Sequence, residues 1–128
     1  MNSREDLVTA TCHCGAVRLH LPAVPATMVD CNCTICRRLG ALWSFYPREQ
    51  VRLEAAPDAL QAYVWGARTI RTMRCAYCGC ATHWAPLADD APADARWGVN
   101  VRMLPPQAIA ATRVRRFDGL DSWTYLDA

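Results

Sequence analysis

Eight cysteines gathered into three short runs constrain this chain more than any other feature of its sequence. They stand as Cys12-His13-Cys14-Gly15, as Cys31-Asn32-Cys33-Thr34-Ile35-Cys36, and as Cys75-Ala76-Tyr77-Cys78-Gly79-Cys80. A buried cysteine taken singly is a small hydrophobe, but clustered pairs spaced C-x-C and C-x-x-C place sulfurs side by side in tight turns. Zinc takes four such thiolates in a tetrahedron at ~2.3 Å. Gly79, directly after a C-x-x-C pair, permits the left-handed backbone that lets main-chain N–H groups turn toward sulfur. Redox chemistry by C-x-x-C calls for a following helix in a βαβ setting, and neither Cys36 nor Cys78 precedes a helix-length pattern.

The setting agrees with reduced thiols. The N-terminal MNSREDLVTA carries acids where an export signal has a basic and then an apolar region. No segment nears the ~18 apolar residues of a membrane span. A soluble, cytoplasmic protein is expected, in which disulfides are rare. The net charge of +2 lacks the basic footprint of a nucleic-acid binder, and Arg113, Arg115 and Arg116 read as a solvated strand face.

With 128 residues and no repeat, low-complexity tract or linker, the chain reads as one domain over residues 1–128. Its dominant period is two, the mark of half-buried strands in an antiparallel sheet. Val17, Leu19 and Leu21 alternate with Arg18 and His20; Val51 and Leu53 alternate with Arg52 and Glu54. Trp97, Val99, Val101 and Met103 alternate with Arg96, Gly98, Asn100 and Arg102. Residues 41–46, 61–65 and, less regularly, 69–73 read as further strands. Single helical turns are expected at residues 34–39, 57–60 and 106–111, and an exposed loop at 87–95. The fold class is mainly β.

The division of eight sulfurs stays open at this point: two four-cysteine sites are chemically allowed, while chain order suggests that the first and third groups staple distant strands and the central trio holds its own metal. A closed site is structural, and a catalytic zinc keeps one position open.

Two further segments join the cysteine runs in a wider pattern. CHCGAVRLHL, CNCTICRRLGALW and CAYCGCATHW, followed by GVNVRML and FDGLDSW, resemble the family of glutathione-dependent formaldehyde-activating enzymes, which also includes the zinc domain of centromere protein V. The likeness runs over roughly residues 8–126. It implies a β-tent of two antiparallel sheets with few short helical turns, stabilised by two zinc ions. It assigns Cys12, Cys14, Cys75 and Cys78 to a closed structural zinc, and Cys31, Cys33 and Cys36 to a second, open zinc. It further implies a carbon–sulfur lyase acting on a small-molecule adduct of glutathione, as co-substrate, or another thiol with an aldehyde such as formaldehyde. A non-catalytic zinc module that binds a partner is the alternative. Arg37 and Arg38 follow the trio and can meet a substrate carboxylate in bidentate fashion; His83 is a candidate acid or base. Cys80 departs from the family pattern and is open to three roles: bystander thiol, fourth ligand of the second zinc, or redox partner.

Overall fold

The computed structural model describes residues 4–127, so the first three residues of the N-terminal segment read above lie outside it. A turn of helix α1 (Arg4–Leu7) leads into β1 (Thr9–Thr11) and β2 (Val17–His20). Next come β3 (Thr27–Cys31), a helical turn α2 (Cys36–Leu39), β4 (Trp43–Pro47) and β5 (Arg52–Ala55). The chain continues through β6 (Leu60–Tyr63), β7 (Ile70–Cys75), β8 (Ala81–Pro86) and β9 (Arg96–Asn100). A short helix α3 (Pro106–Ile109) and β10 (Arg113–Phe117) complete the order. No helix among the described residues is long and apolar enough to cross a membrane.

The strands form two sheets, a small one ordered β1-β2-β5 and a large one ordered β10-β3-β4-β9-β8-β7-β6. The period-two segments behave as alternation dictates. In β2, Val17 and Leu19 are fully buried while Arg18 is exposed, and these two residues join Met28, Tyr46, Val99 and Val101 in the core between the sheets. Burying an aliphatic side chain of this kind contributes roughly 1.5–3 kcal/mol. The large sheet has a second apolar cluster, in which Val29, Cys31, Ala41 and Trp43 pack with Phe45, Trp84 and Phe117.

Four expectations need correction. The sheets are not wholly antiparallel, because β10 pairs with β3 in parallel, Arg113 opposite Thr27 through Phe117 opposite Cys31. The strand expected to run to Met103 stops at Asn100, whose side-chain oxygen accepts the N–H groups of Leu42 and Arg102, both at 3.3 Å. That local bond turns residues 101–103 into a 3-10 turn. Residues 57–58 form a turn with Asp58 at φ +58°, and Leu60 already opens β6, so no helical turn spans 57–60. Finally, β5 is exposed throughout because it is the edge of the small sheet, and Leu53 stays 36% accessible.

Candidate metal centres

The first centre is built from two hairpin turns of different sheets. Cys12 and Cys14 sit in the β1–β2 turn; Cys75 ends β7 and Cys78 lies in the turn before β8. Their four sulfurs lie within 4.8 Å of one another, with Cys12–Cys14 at 3.8 Å and Cys14–Cys75 at 3.6 Å. A tetrahedron with metal–sulfur bonds of ~2.3 Å has edges of ~3.8 Å, so the donor set fits zinc in both type and spacing. Disulfides would need ~2.05 Å, and all eight cysteines are free. Backbone N–H groups already face the sulfurs, Val17 to Cys12 at 3.3 Å and Cys78 to Cys75 at 3.5 Å. The turn that aims them needs Gly79 at φ +80°. His13 points to solvent.

The second centre comes from one continuous run. Cys31 ends β3, Cys33 lies in the following loop, and Cys36 opens α2, which Gly40 closes. Their sulfurs also lie within 4.8 Å of one another, and among the described residues no fourth Cys, His, Asp or Glu joins them. The N–H of Cys33 donates to the Cys31 sulfur at 3.5 Å and that of Cys36 to the Cys33 sulfur at 3.4 Å; the Trp43 indole donates to Cys36 at 3.3 Å. Three soft donors with no fourth from the protein suit a metal that keeps a position for an outside ligand.

A C-terminal strap runs over this trio. Asn32, between two of the cysteines, donates to Asp118 at 3.1 Å and accepts the Leu120 N–H at 3.0 Å. Asp118 also accepts the N–H groups of Ser122 and Asp121, and these bonds, led by that of Ser122, bring its carboxyl down to about 2. Gly119 lies so close that a Cβ there would stand 2.6 Å from the Cys31 sulfur and 3.2 Å from the Cys33 Cβ. Phe117 meets Trp123 and Tyr125 edge-on at 5.1 and 5.0 Å. The FDGLDSW segment carries the resemblance, but its clasp on the trio does not follow from the sequence; the Asp-Gly pair at 118–119, a turn signal, is the available hint.

Within each cluster the thiols compete for protons. At the first, the Cys80 N–H leads in lowering Cys78 to about 5. Cys14 rises to about 11, the Ala16 N–H favouring its thiolate but burial and the neighbouring thiols outweighing it. At the second, burial raises Cys31 and Cys36. Sets of this kind give up their remaining protons on binding a divalent cation.

The other candidates separate. Cys80 belongs beside the first centre, taking the His13 N–H and touching the Cys78 thiol, so it does not complete the trio. Arg37 and Arg38 are exposed on α2, and the Arg38 guanidinium donates to the Thr34 carbonyl at 2.7 Å. His83 is buried, shares its Nδ1 with Thr82 at 2.9 Å and stacks on Trp97. Burial and then the charge of Arg71 push its imidazole down to about 4. It is neutral near pH 7, on the sheet face away from the trio.

Comparison with known proteins reaches the same residues. The family model described as glutathione-dependent formaldehyde-activating enzyme matches residues 7–111, which takes in all eight cysteines and stops short of the FDGLDSW segment. Among solved structures, a crystal structure of a Rhodobacter sphaeroides protein, a Northeast Structural Genomics target, is similar with 30% identity and a TM-score of 0.65. That likeness covers 83% of this chain and 98% of the other.

Proposed function

We propose, from the premise that this chain belongs to the family of glutathione-dependent formaldehyde-activating enzymes, that it is a carbon–sulfur lyase acting on the adduct of glutathione, or another small thiol, with a small aldehyde such as formaldehyde. The observation that carries this reading is the trio of Cys31, Cys33 and Cys36, converged with no fourth protein ligand among the described residues. Zinc held there would supply a position at which an incoming thiol is bound as its thiolate. In the forward direction the thiol loses its proton and sulfur forms a bond to the carbonyl carbon. The carbonyl π pair moves to oxygen, which takes up a proton to give the S-hydroxymethyl adduct. The reverse breaks the C–S bond.

The chain's own residues shape that position. Three thiolates outweigh a divalent charge, which favours exchange of thiols over activation of water. The indole N–H of Trp43 and the N–H groups of Cys33 and Cys36 draw negative charge off the sulfurs. Phe45, Trp84 and Phe117 form an apolar surround, which strengthens those bonds by excluding water. Arg37 and Arg38 are proposed to meet the carboxylates of the thiol substrate. Cys12, Cys14, Cys75 and Cys78 are proposed to hold a closed, structural zinc.

One observation favours a second reading, a zinc module that docks a partner: the strap beside the trio exposes Leu120, Trp123 and Leu126 at 59, 70 and 56%. Adduct formation from formaldehyde and glutathione, followed against the uncatalysed background, separates the two. Protein carrying about two zinc per chain should accelerate it, and Cys33→Ser should lose most of that acceleration while remaining folded. Equal rates for protein, variant and buffer would reject the lyase and leave the module.

A further inference from the structure

A cavity of about 290 Å³ opens on the opposite face of the large sheet from the trio, lined by β7, β8 and β9, by Leu53 of β5, and by the 87–95 loop. The alternation of β8 separates the two places: His83 and Ala85 line the cavity, whereas Trp84 between them packs with the aromatic cluster of Cys31. The walls are of two kinds. Leu53, Leu60, Met73, Ala85 and Trp97 are apolar, while Arg48 and Arg71 bring two guanidinium groups.

Arg71 is the informative residue. Its Nη2 donates to the Leu87 carbonyl at 2.9 Å and lies 3.5 Å from Asp89. Its Nε is buried without a hydrogen-bond partner, and no other side-chain nitrogen or oxygen among the described residues shares that condition. An unmet buried donor costs about 1–3 kcal/mol, more when it is charged, and such groups are rare in folded proteins. Asp89, the one acid in the lining, holds its carboxylate fully in solvent at the rim. His83 lies flat on Trp97, with ring centroids 4.8 Å apart and planes 21° apart, and forms a flat, uncharged wall beside the arginine.

We propose that this cavity binds a small organic anion, its carboxylate meeting Arg71 with Arg48 at the rim, and its apolar body lying along Met73 and Trp97. Arginine offers a carboxylate two parallel N–H bonds, and engaging Nε with an Nη supplies the missing partner. The volume sits at the lower end of the ~300–1,000 Å³ range of small-molecule sites, which suits one ring or a few carbons. The site is separate from the metal centres, so its test does not depend on the lyase reading.

Zinc-loaded, 15N-labelled protein would be titrated with benzoate, with benzamide as the uncharged counterpart, and with inorganic phosphate as an anion lacking an apolar body. The Arg71 Nε–H and Trp97 indole N–H resonances report on the cavity, and the Trp43 indole reports on the trio. Benzoate should shift the first two saturably, with a Kd below about 1 mM, and leave Trp43 in place. Benzamide, phosphate and the Arg71→Gln variant should each bind at least about tenfold more weakly. If Arg71→Gln does not fold, Arg48→Gln at the exposed rim must still weaken benzoate by about threefold. The proposal is overturned if no probe shifts Arg71 saturably, if benzamide or phosphate matches benzoate, or if the shifts centre on Trp43.

Discussion

The two faces of the large sheet carry cysteine groups with the same donor chemistry and opposite relations to the chain. On the inner side, Cys14 and Cys75 are 61 residues apart and belong to turns of different sheets. On the outer side, Cys31, Cys33 and Cys36 occupy one six-residue run, with Trp43 reaching in from the next strand. A metal at the first place ties two sheets together and removes a long loop's freedom from the unfolded chain. A metal at the second ties down little beyond its own loop. On the function proposed above, the number of chain segments brought together, more than the number of sulfurs, would divide a structural centre from one free to exchange a ligand.

The largest test of that contrast is a pair of variants. Cys75→Ser should remove most of the folding free energy that zinc supplies, on the order of 10 kcal/mol, which equals the whole stability of a typical fold. Its circular dichroism melt should show no cooperative transition. Cys36→Ser should reduce bound zinc from about two to about one per chain and move Tm by roughly 5 °C or less. If the two variants unfold alike, segment number is not what separates the centres.

A smaller effect belongs to the inner side alone. His83 falls from 6.5 to about 4 on folding, with burial the main cause. The native state thus resists a proton that the unfolded chain accepts. Stability is full above pH 6.5 and declines as pH falls through 4, by at most about 3 kcal/mol. Urea titrations between pH 7 and 4 should show a shallower decline for His83→Phe than for the parent chain. Cysteine protonation is common to both and cancels in the difference. Parallel declines would show that His83 takes its proton without strain.

Much of the inner architecture was legible because it follows local rules. The alternation of Val17 and Leu19 placed β2, and the C-x-C and C-x-x-C-G spacings marked the residues whose sulfurs converge. What escaped depended on distant chain or on a single side chain. The parallel pairing of β10 with β3 brings Arg113 beside Thr27, and nothing in a basic run announces so remote a partner. The alternation through Met103 was real, since Val101 is buried, but the Asn100 side chain diverted the backbone. Leu53 alternates correctly and still faces a cavity mouth, because periodicity does not tell an edge strand from a central one. The aim of Trp43 at a sulfur, the clasp of Asn32 with Asp118 and the unmet Nε of Arg71 are matters of side-chain direction, to which spacing is blind.

On the outer face two finer variants sharpen the contrast. Gly119→Ala would set a Cβ 2.6 Å from the Cys31 sulfur, and a sulfur held by metal cannot step aside, so the strap must move. The cost should be about 1–3 kcal/mol, seen as a change in Trp123 fluorescence and faster zinc loss from the trio, with the melt governed by the inner centre unchanged. Trp43→Phe keeps the packing and deletes the indole bond to Cys36, worth about 1 kcal/mol, or roughly fivefold in metal affinity. In competition with a chromophoric chelator, zinc should leave the parent protein in two phases, and this variant should advance only the weaker one. Were both phases to advance together, the two faces would be energetically coupled through the sheet, and the proposed separation of a structural from an exchangeable centre would fail at the strand residue whose indole bonds a sulfur of the trio.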